Sequence, residues 1–368
     1  MQEIIELTRD LIQFKTMHSQ PQEIKRCAAF IENYLKMLDL DYKRLDYQNT
    51  PCVLVLPQDG FAPVLLMSHM DVVDAPGELF VPLEKDHRLY GRGSLDNKYA
   101  VALSLVLVKK HLQRLRKQGK GQQDLPFGVL VTADEEIGGF NGAQKALRDI
   151  QTNFCIVLDG GSIEKAVVKA KGIARVKLLS RAKAACGARP WLGENALESL
   201  IDDFIRLRTY FVQSVPEHPD RAVVINGIHA DTSYHRVPKY AEAFLEVRYT
   251  ETDDMERLFD YIQKELHSKT VVESVEPLFP GGESSHLNLL LGISQKTKIG
   301  FEDGANDARY LGQFGIKGVV WGANGDRSRH SLNEHVSIES VHELYHLLDE
   351  FMKQSAELKP VKLPLTPS

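Results

Sequence analysis

Three short apolar runs in this chain break off abruptly at imidazole or carboxylate side chains. Val64-Leu65-Leu66-Met67 runs into Ser68-His69-Met70-Asp71, Gly128-Val129-Leu130-Val131-Thr132-Ala133 into Asp134-Glu135-Glu136, and Cys155-Ile156-Val157-Leu158 into Asp159-Gly160-Gly161. Runs of this length, separated by helical stretches, fit strands of a mixed or parallel sheet covered on both faces. In open α/β sheets, sites assemble outside the carboxyl ends of the strands. The same segments therefore predict both a fold class and a place for chemistry.

The rest of the chain fits that α/β frame. A helix is expected to about Leu38, strands over 52–56 and 63–67, a long helix from Lys98 past His111, and strands over 127–132 and 154–158. Residues 113–125 are polar and glycine-broken, which reads as a helix end and a solvated loop. After Ala170 the order becomes strand (172–180), helix (194–211), strand (221–225), strand (240–249), helix (253–266), strand (270–275), the β-α-β-β-α-β order of a ferredoxin-like unit. Residues 277–285 supply the turn chemistry of a return linker, strand–helix alternation resumes at 318–321, and a last helix spans 337–354 with Ile338, Val341, Tyr345, Leu348 and Met352 on its apolar stripe. The expected organisation is one domain built from residues 1–169 and 281–368, with an inserted α+β lid over 170–280.

Composition removes several classes of function. The chain has 368 residues, 45 Lys plus Arg against 50 Asp plus Glu, and a formal net charge of −5. That balance provides no basic surface for nucleic acid or an anionic membrane. The most apolar run, 101–108, is far shorter than the roughly 18 residues of a membrane span, and the first residues read as an amphipathic helix rather than a signal peptide. Four cysteines, Cys27, Cys52, Cys155 and Cys186, form neither a C-x-x-C pair nor a disulfide framework, so a reducing cytoplasmic setting is expected. G-x-S-x-G and G-x-x-x-x-G-K-[ST] are absent.

Two further segments join the strand ends: G-R-G-S-L-D-N-K, with Asp96 just before a helix, and the glycine-rich loop leading to His330. Two histidines and several carboxylates are thus expected to converge. Carboxylates gathered without basic partners force one another to bind protons unless a cation compensates them. Imidazole plus carboxylate without thiolate suits zinc and tolerates manganese or cobalt. Two ions about 3.5–4 Å apart, sharing Asp96, would employ His69, Asp96, Glu136, Asp159 and His330.

In order along the chain, S-H-M-D-V-V, G-R-G-S-L-D-N-K, D-E-E-I-G-G, L-D-G-G and H-S-L-N-E resemble the signature of the co-catalytic metallopeptidase family that holds glutamate carboxypeptidase, peptidase T, aminoacylase, succinyl-diaminopimelate desuccinylase and carnosinase-type dipeptidases. The resemblance spans nearly the whole chain. It implies a zinc-exopeptidase-like catalytic domain and two divalent ions per chain, one held by His69, Asp96 and Asp159, the other by Asp96, Glu136 and His330. It further implies that Asp71 orients His69, that the Asp96–Asn97 peptide is cis, and that Glu135 is the general base toward a metal-activated water. By the same resemblance Arg309, in G-A-N-D-A-R, holds a substrate carboxylate, and the lid makes a homodimer. The implied reaction is hydrolysis of an amide in a small peptide or N-acyl amino acid, and an Asp rather than Glu at position 159 tilts this toward peptides.

The lid departs from the resemblance where the family commonly has histidine: R-A-K-A-A-C-G-A-R-P-W places Cys186 there. A thiol is a weak donor without positive charge at neutral pH, so it is expected to be a small buried residue. His235, in Y-H-R-V-P, stands where the family commonly has asparagine, and His229 lies nearby; either could take over the donor role, or both are ordinary surface histidines. Two rival readings remain. Loss of the lid histidine would suit a metal-retaining but catalytically weak binding protein. His342-Glu343-Leu344-Tyr345-His346 is a literal H-E-x-x-H, although it lies off the apolar stripe with little chain beyond it for a third zinc ligand.

Overall fold

A computed structural model of the chain describes residues 2–210, 222–231 and 233–358. Along the chain run α1 (Gln2–Ile12), α2 (Pro21–Met37), β1 (Lys43–Tyr47), β2 (Thr50–Val55), β3 (Phe61–His69), β4 (Leu83–Lys85), β5 (Arg88–Tyr90), α3 (Lys98–Arg116), β6 (Phe127–Thr132), α4 (Ala143–Ala146), β7 (Gln151–Val157) and β8 (Lys165–Ala170). They are followed by β9 (Gly172–Arg181), α5 (Ala196–Tyr210), β10 (Ala222–Ala230), β11 (Tyr240–Tyr249), α6 (Met255–Glu265) and β12 (Lys269–Glu276). The last elements are α7 (Ser285–Ile293), β13 (Lys298–Glu302), β14 (Gly318–Val320), β15 (His335–Ser337) and α8 (Ile338–Ser355). The chain divides into two compact units, one made of the chain up to Lys169, Gly281–Glu302 and the chain from Asn306, the other of Ala170–Pro280 with Asp303–Ala305.

The first unit is built on an eight-stranded mixed sheet in the order β1-β2-β6-β3-β7-β14-β8-β13. Its centre is parallel, with β3 paired to β6 and β7, and β14 to β7, whereas β2 runs antiparallel beside β6. The central strands are buried on both faces, as their continuous apolar runs require. Val64, Leu66, Val129, Val131, Phe154 and Ile156 share one core with residues of α1, α2, α3, α7 and α8. α3 is buried almost all round through Leu112, which is why its sequence reads as a solid apolar run instead of a stripe.

The single N-terminal helix expected to Leu38 is two helices. Pro21 occupies the first turn of α2, and the ring disfavours a helical residue before it; Gln20 accordingly sits at φ −129°, ψ 66°. In the second unit β9, β10, β11 and β12 form an antiparallel sheet in the order β10-β11-β9-β12, and Ala174, Val176, Leu178, Ala243 and Leu245 pack with Leu200, Leu207, Leu258 and Ile262 of α5 and α6. The strand expected to stop at Ile225 runs on to Ala230, because the Asn226-Gly227 step is absorbed as a shift of register between Ile225 and Gly227. Arg221 and Phe211, expected ends of a strand and a helix, lie outside the described residues. Asp303, expected in the first domain, belongs with the second unit, where Lys171 Nζ meets its Oδ1 at 2.8 Å.

Candidate metal centre

Parallel strands deliver the side chains to one edge of the first unit. His69 is the last residue of β3, Glu135 and Glu136 open a single 3-10 turn after β6, Asp159 follows β7, and His330 lies in the loop after β14. Asp96 precedes α3, and the residues after it fasten that helix start to three strand ends. Asn97 Oδ1 accepts from His69 N at 3.4 Å and its Nδ2 donates to Leu158 O at 2.7 Å, while Tyr99 Oη donates to the same carbonyl at 3.0 Å and accepts from Ala323 N at 2.9 Å. The Asp96–Asn97 peptide is cis. The L-D-G-G glycines are sterically required: Gly161 has φ +63°, and a Cβ there would lie 2.3 Å from Lys165 O.

Asp96 stands between the two imidazoles with one oxygen toward each. Its Oδ1 is 2.9 Å from His69 Nε2 and its Oδ2 3.1 Å from His330 Nε2. Asp159 Oδ2 lies 3.7 Å from His69 Nε2, and Glu136 Oε2 lies 3.2 Å from His330 Nε2. His69, Asp96 and Asp159 form one group whose ligand atoms all lie within 4.8 Å of one another, and Asp96, Glu136 and His330 form another. Donors about 2.0–2.1 Å from a tetrahedral zinc stand about 3.3 Å apart. The spacing here fits that figure, and each group offers one nitrogen and two carboxylates, so the residues fit a pair of divalent ions sharing Asp96. The tautomer also fits. His69 Nδ1 lies 3.1 Å from Asp71 O, and a carbonyl only accepts, so Nδ1 carries a hydrogen and Nε2, which faces the carboxylates, is the nitrogen that would be given up to an ion.

Around this centre the carboxylates are individually tied. Asp71 Oδ1 is 3.4 Å from His69 Nδ1, and its Oδ2 accepts from Glu136 N at 3.0 Å and meets His18 Nε2 at 3.0 Å. Glu136 Oε1 accepts from Val73 N at 3.2 Å. Glu135 Oε1 accepts from Arg309 Nη2 at 2.7 Å, and Arg309 Nε donates to Asn306 O at 2.7 Å. Burial, and then the charge of Asp159, push the Glu135 carboxyl well above the usual range against the pull of His69 and Arg309. Arg309 thus turns toward Glu135, with a side chain only 4% exposed.

Glu334, in the H-S-L-N-E segment, had no role assigned from sequence. It is 1% exposed, and its Oε1 accepts from Gly93 N at 3.0 Å and from Leu95 N and Asp96 N at 3.1 Å, while Oε2 pairs with Arg92. Arg92 Nη2 in turn donates to His330 O at 3.3 Å. Two ligand-bearing segments far apart in sequence are thereby tied through one carboxylate. Its place four residues after His330 was visible in the sequence, but its burial and partners were not; for His18 no sequence signal stood out.

The second unit holds the remaining expected residues, and they are not in the ligand groups. His229 sits on β10, edge-on to Phe244, beside a shallow cavity of about 350 Å³ that Leu197, Asp231 and Tyr234 also line. His235 is exposed in a turn whose carbonyl accepts from Gly187 N at 2.9 Å, next to a bridge between Cys186 and Arg236. Cys186, expected to be buried, is exposed, because its loop lies outside the apolar core under α5 and α6. On α8, His342 is half-buried and His346 exposed, and no third ligand joins them among the described residues, so the H-E-x-x-H assembles no metal group.

Two carboxylate-and-imidazole groups sharing one aspartate, with a buried glutamate at their side, are the layout of a metallohydrolase. The sequence matches Peptidase family M20/M25/M40 over residues 65–354, and the chain belongs to that family. It is a metal-dependent hydrolase. It is 24% identical over 389 residues to the succinyl-diaminopimelate desuccinylase of Blochmanniella floridana, covering 96% of this chain and 98% of that one. A tripeptidase from Staphylococcus aureus superposes with a TM-score of 0.79 at 19% identity, covering 97% of this chain and 99% of the other. A protein of Bacillus subtilis described as a dinuclear metal binding peptidase from the M20 family superposes with a TM-score of 0.64 at 15% identity, covering 98% and 99%. No helix among the described residues is long and apolar enough to cross a membrane.

Proposed function

We propose that the chain hydrolyses an amide bond in a small peptide or N-acyl amino acid at a centre of two divalent ions, zinc foremost, that share Asp96. The observation that carries this reading is the split of the Asp96 carboxylate, one oxygen on each imidazole. The bound ions supply Lewis acidity, bringing a water's pKa down and polarising the amide carbonyl.

The chain's own residues do the rest. Glu135, raised in pKa and beside the ligands, accepts a proton from the attacking water at a carboxylate oxygen and passes it to the leaving amine nitrogen. Asp71 keeps the His69 ring turned with Nε2 inward, the nitrogen that would hold an ion. Arg309 steadies Glu135 and clamps a substrate carboxylate when that pair opens. His235 supplies the donor that Cys186 cannot, a role supported by the backbone pairing that sets their turns side by side; His229, packed on Phe244, is the second candidate.

One kinetic comparison on zinc-, manganese- and cobalt-loaded protein tests these roles. Glu135→Gln is expected to lower kcat about 10²–10⁴-fold with metal content unchanged. Arg309→Ala raises KM for substrates with a free carboxylate and spares amidated analogues. His235→Ala lowers kcat by about 10²–10³-fold if it is the oxyanion donor; unchanged turnover in both His229→Ala and His235→Ala removes that role. Inactivity of the parent chain against dipeptides and N-acyl amino acids, with two ions bound, would instead favour the binding-protein reading that the exposed Cys186 raises.

A further inference from the structure

One cation beside the ligands has no part in the scheme above. Arg329 immediately precedes His330, and its Nη1 lies 3.3 Å from Asp159 Oδ1. The two oxygens of Asp159 are thereby divided. Oδ2 faces His69 Nε2 at 3.7 Å, whereas Oδ1 is buried without a hydrogen bond and has the Arg329 guanidinium as its ion-pair partner. The other outer carboxylate is placed differently: Glu136 meets His330 Nε2 at 3.2 Å and the Val73 N–H at 3.2 Å. The chain thus pairs a permanent cation with the one carboxylate, Asp159, that belongs to a single group, while the same charge reaches more weakly the Asp96 that both groups share.

We propose that Arg329 is a built-in competitor for the metal site of His69, Asp96 and Asp159, so that the two sites differ in affinity and this one is the weaker and more readily exchanged. The inference rests on the dinuclear reading. A guanidinium gives a buried carboxylate the same compensation that an ion gives it. An entering dication must either share Asp159 with Arg329 or displace it, and sharing brings like charges together in a poorly screened place. Arginine cannot step aside by losing its proton. Its route is outward, and its side chain is 31% exposed where that of Asp159 is 5% exposed.

The test is a metal titration of the full chain, stripped with chelator and refilled with Zn²⁺ or Co²⁺ against a competing dye, with cobalt absorption and ions per chain as readouts. The parent chain is expected to fill in two steps. Arg329→Met and Arg329→Gln, two neutral replacements of different polarity, tighten the weaker step about ten- to hundredfold, the range that groups just outside a metal's ligands command. The other step, which feels Arg329 only through the shared Asp96, tightens less than the weaker one, and in an Asp159→Asn background, which lacks the weaker site, Arg329→Met no longer produces the ten- to hundredfold gain. A weaker step that is unchanged or loosened in both neutral variants, with two ions still bound, overturns the competitor and leaves the dinuclear reading standing. Fewer than two ions bound by the parent chain at saturation overturns the dinuclear reading and the competitor with it.

Discussion

Glu334 shows how much one side chain can carry without touching a metal. Its carboxylate accepts three backbone N–H groups of the turn that ends in Asp96 and faces Arg92, whose side chain is 3% exposed. Removing it strands a buried guanidinium and three amide donors. Glu334→Ala is therefore expected to cost about 3–5 kcal/mol in urea unfolding and to loosen metal binding, whereas Glu334→Gln keeps an acceptor for the amides and loses less. A cost under about 1 kcal/mol with metal binding intact would contradict this. Among the five metal-binding candidates, His69, Glu136 and Asp159 stood out in the sequence because they follow apolar runs, and Asp96 and His330 because they lie in glycine-flanked segments. Glu334 and His18 were not, since their partners, the turn at residue 93 and Asp71, are set by the tertiary fold.

Between elements, the packing of α3 against α8 holds an ionisable group in an unfavourable place. His111 on α3 lies 2.9 Å from Asp349 on α8, but Arg114 and Lys353 already engage that carboxylate. Burial, and then the charge of Arg114, lower the His111 pKa from 6.5 to about 4. A folded pKa below the unfolded one means that the stability contribution is full above pH 6.5 and is lost as pH falls toward 4. Between pH 8 and pH 5 the parent chain should lose about 2 kcal/mol more than His111→Gln, measured by urea unfolding at both pH values; equal losses would show that His111 charges freely in the folded state. Elements were legible where a period or an uninterrupted apolar run was long, as in α3 and β6. They were misjudged where one residue reset the backbone, at Pro21 between α1 and α2 and at the Gly227 register shift in β10, because a local break looks the same in sequence whether the chain turns, bulges or restarts.

At the scale of the molecule, the second unit leaves apolar side chains outward. Ile201 and Ile205 on α5 are 43% and 54% exposed, and Val224 on β10 is 51% exposed. Isolated exposures are ordinary, but the Ile201 and Ile205 pair, one helical turn apart on α5, suits the homodimer expected of the lid. Sedimentation should show a dimer, and Ile201→Glu with Ile205→Glu should shift it to monomer with the fold retained; a monomeric parent chain would end that expectation. The chain passes into the second unit at Ala170, where the strand–helix rhythm of the sequence changes, whereas the return of Asp303–Ala305 to that unit rests on contacts that no local pattern announces.

The place of β14 has a consequence for biosynthesis. This strand lies between β7 and β8, both made before the second unit, yet it leaves the ribosome after that unit, as does the loop that brings His330. The growing polypeptide must wait with a gap in its main sheet while more than a hundred residues are added. Of the two candidate ligand groups, the one made of His69, Asp96 and Asp159 is therefore synthesised whole before the pause, whereas the one made of Asp96, Glu136 and His330 lacks its imidazole until the chain is nearly finished.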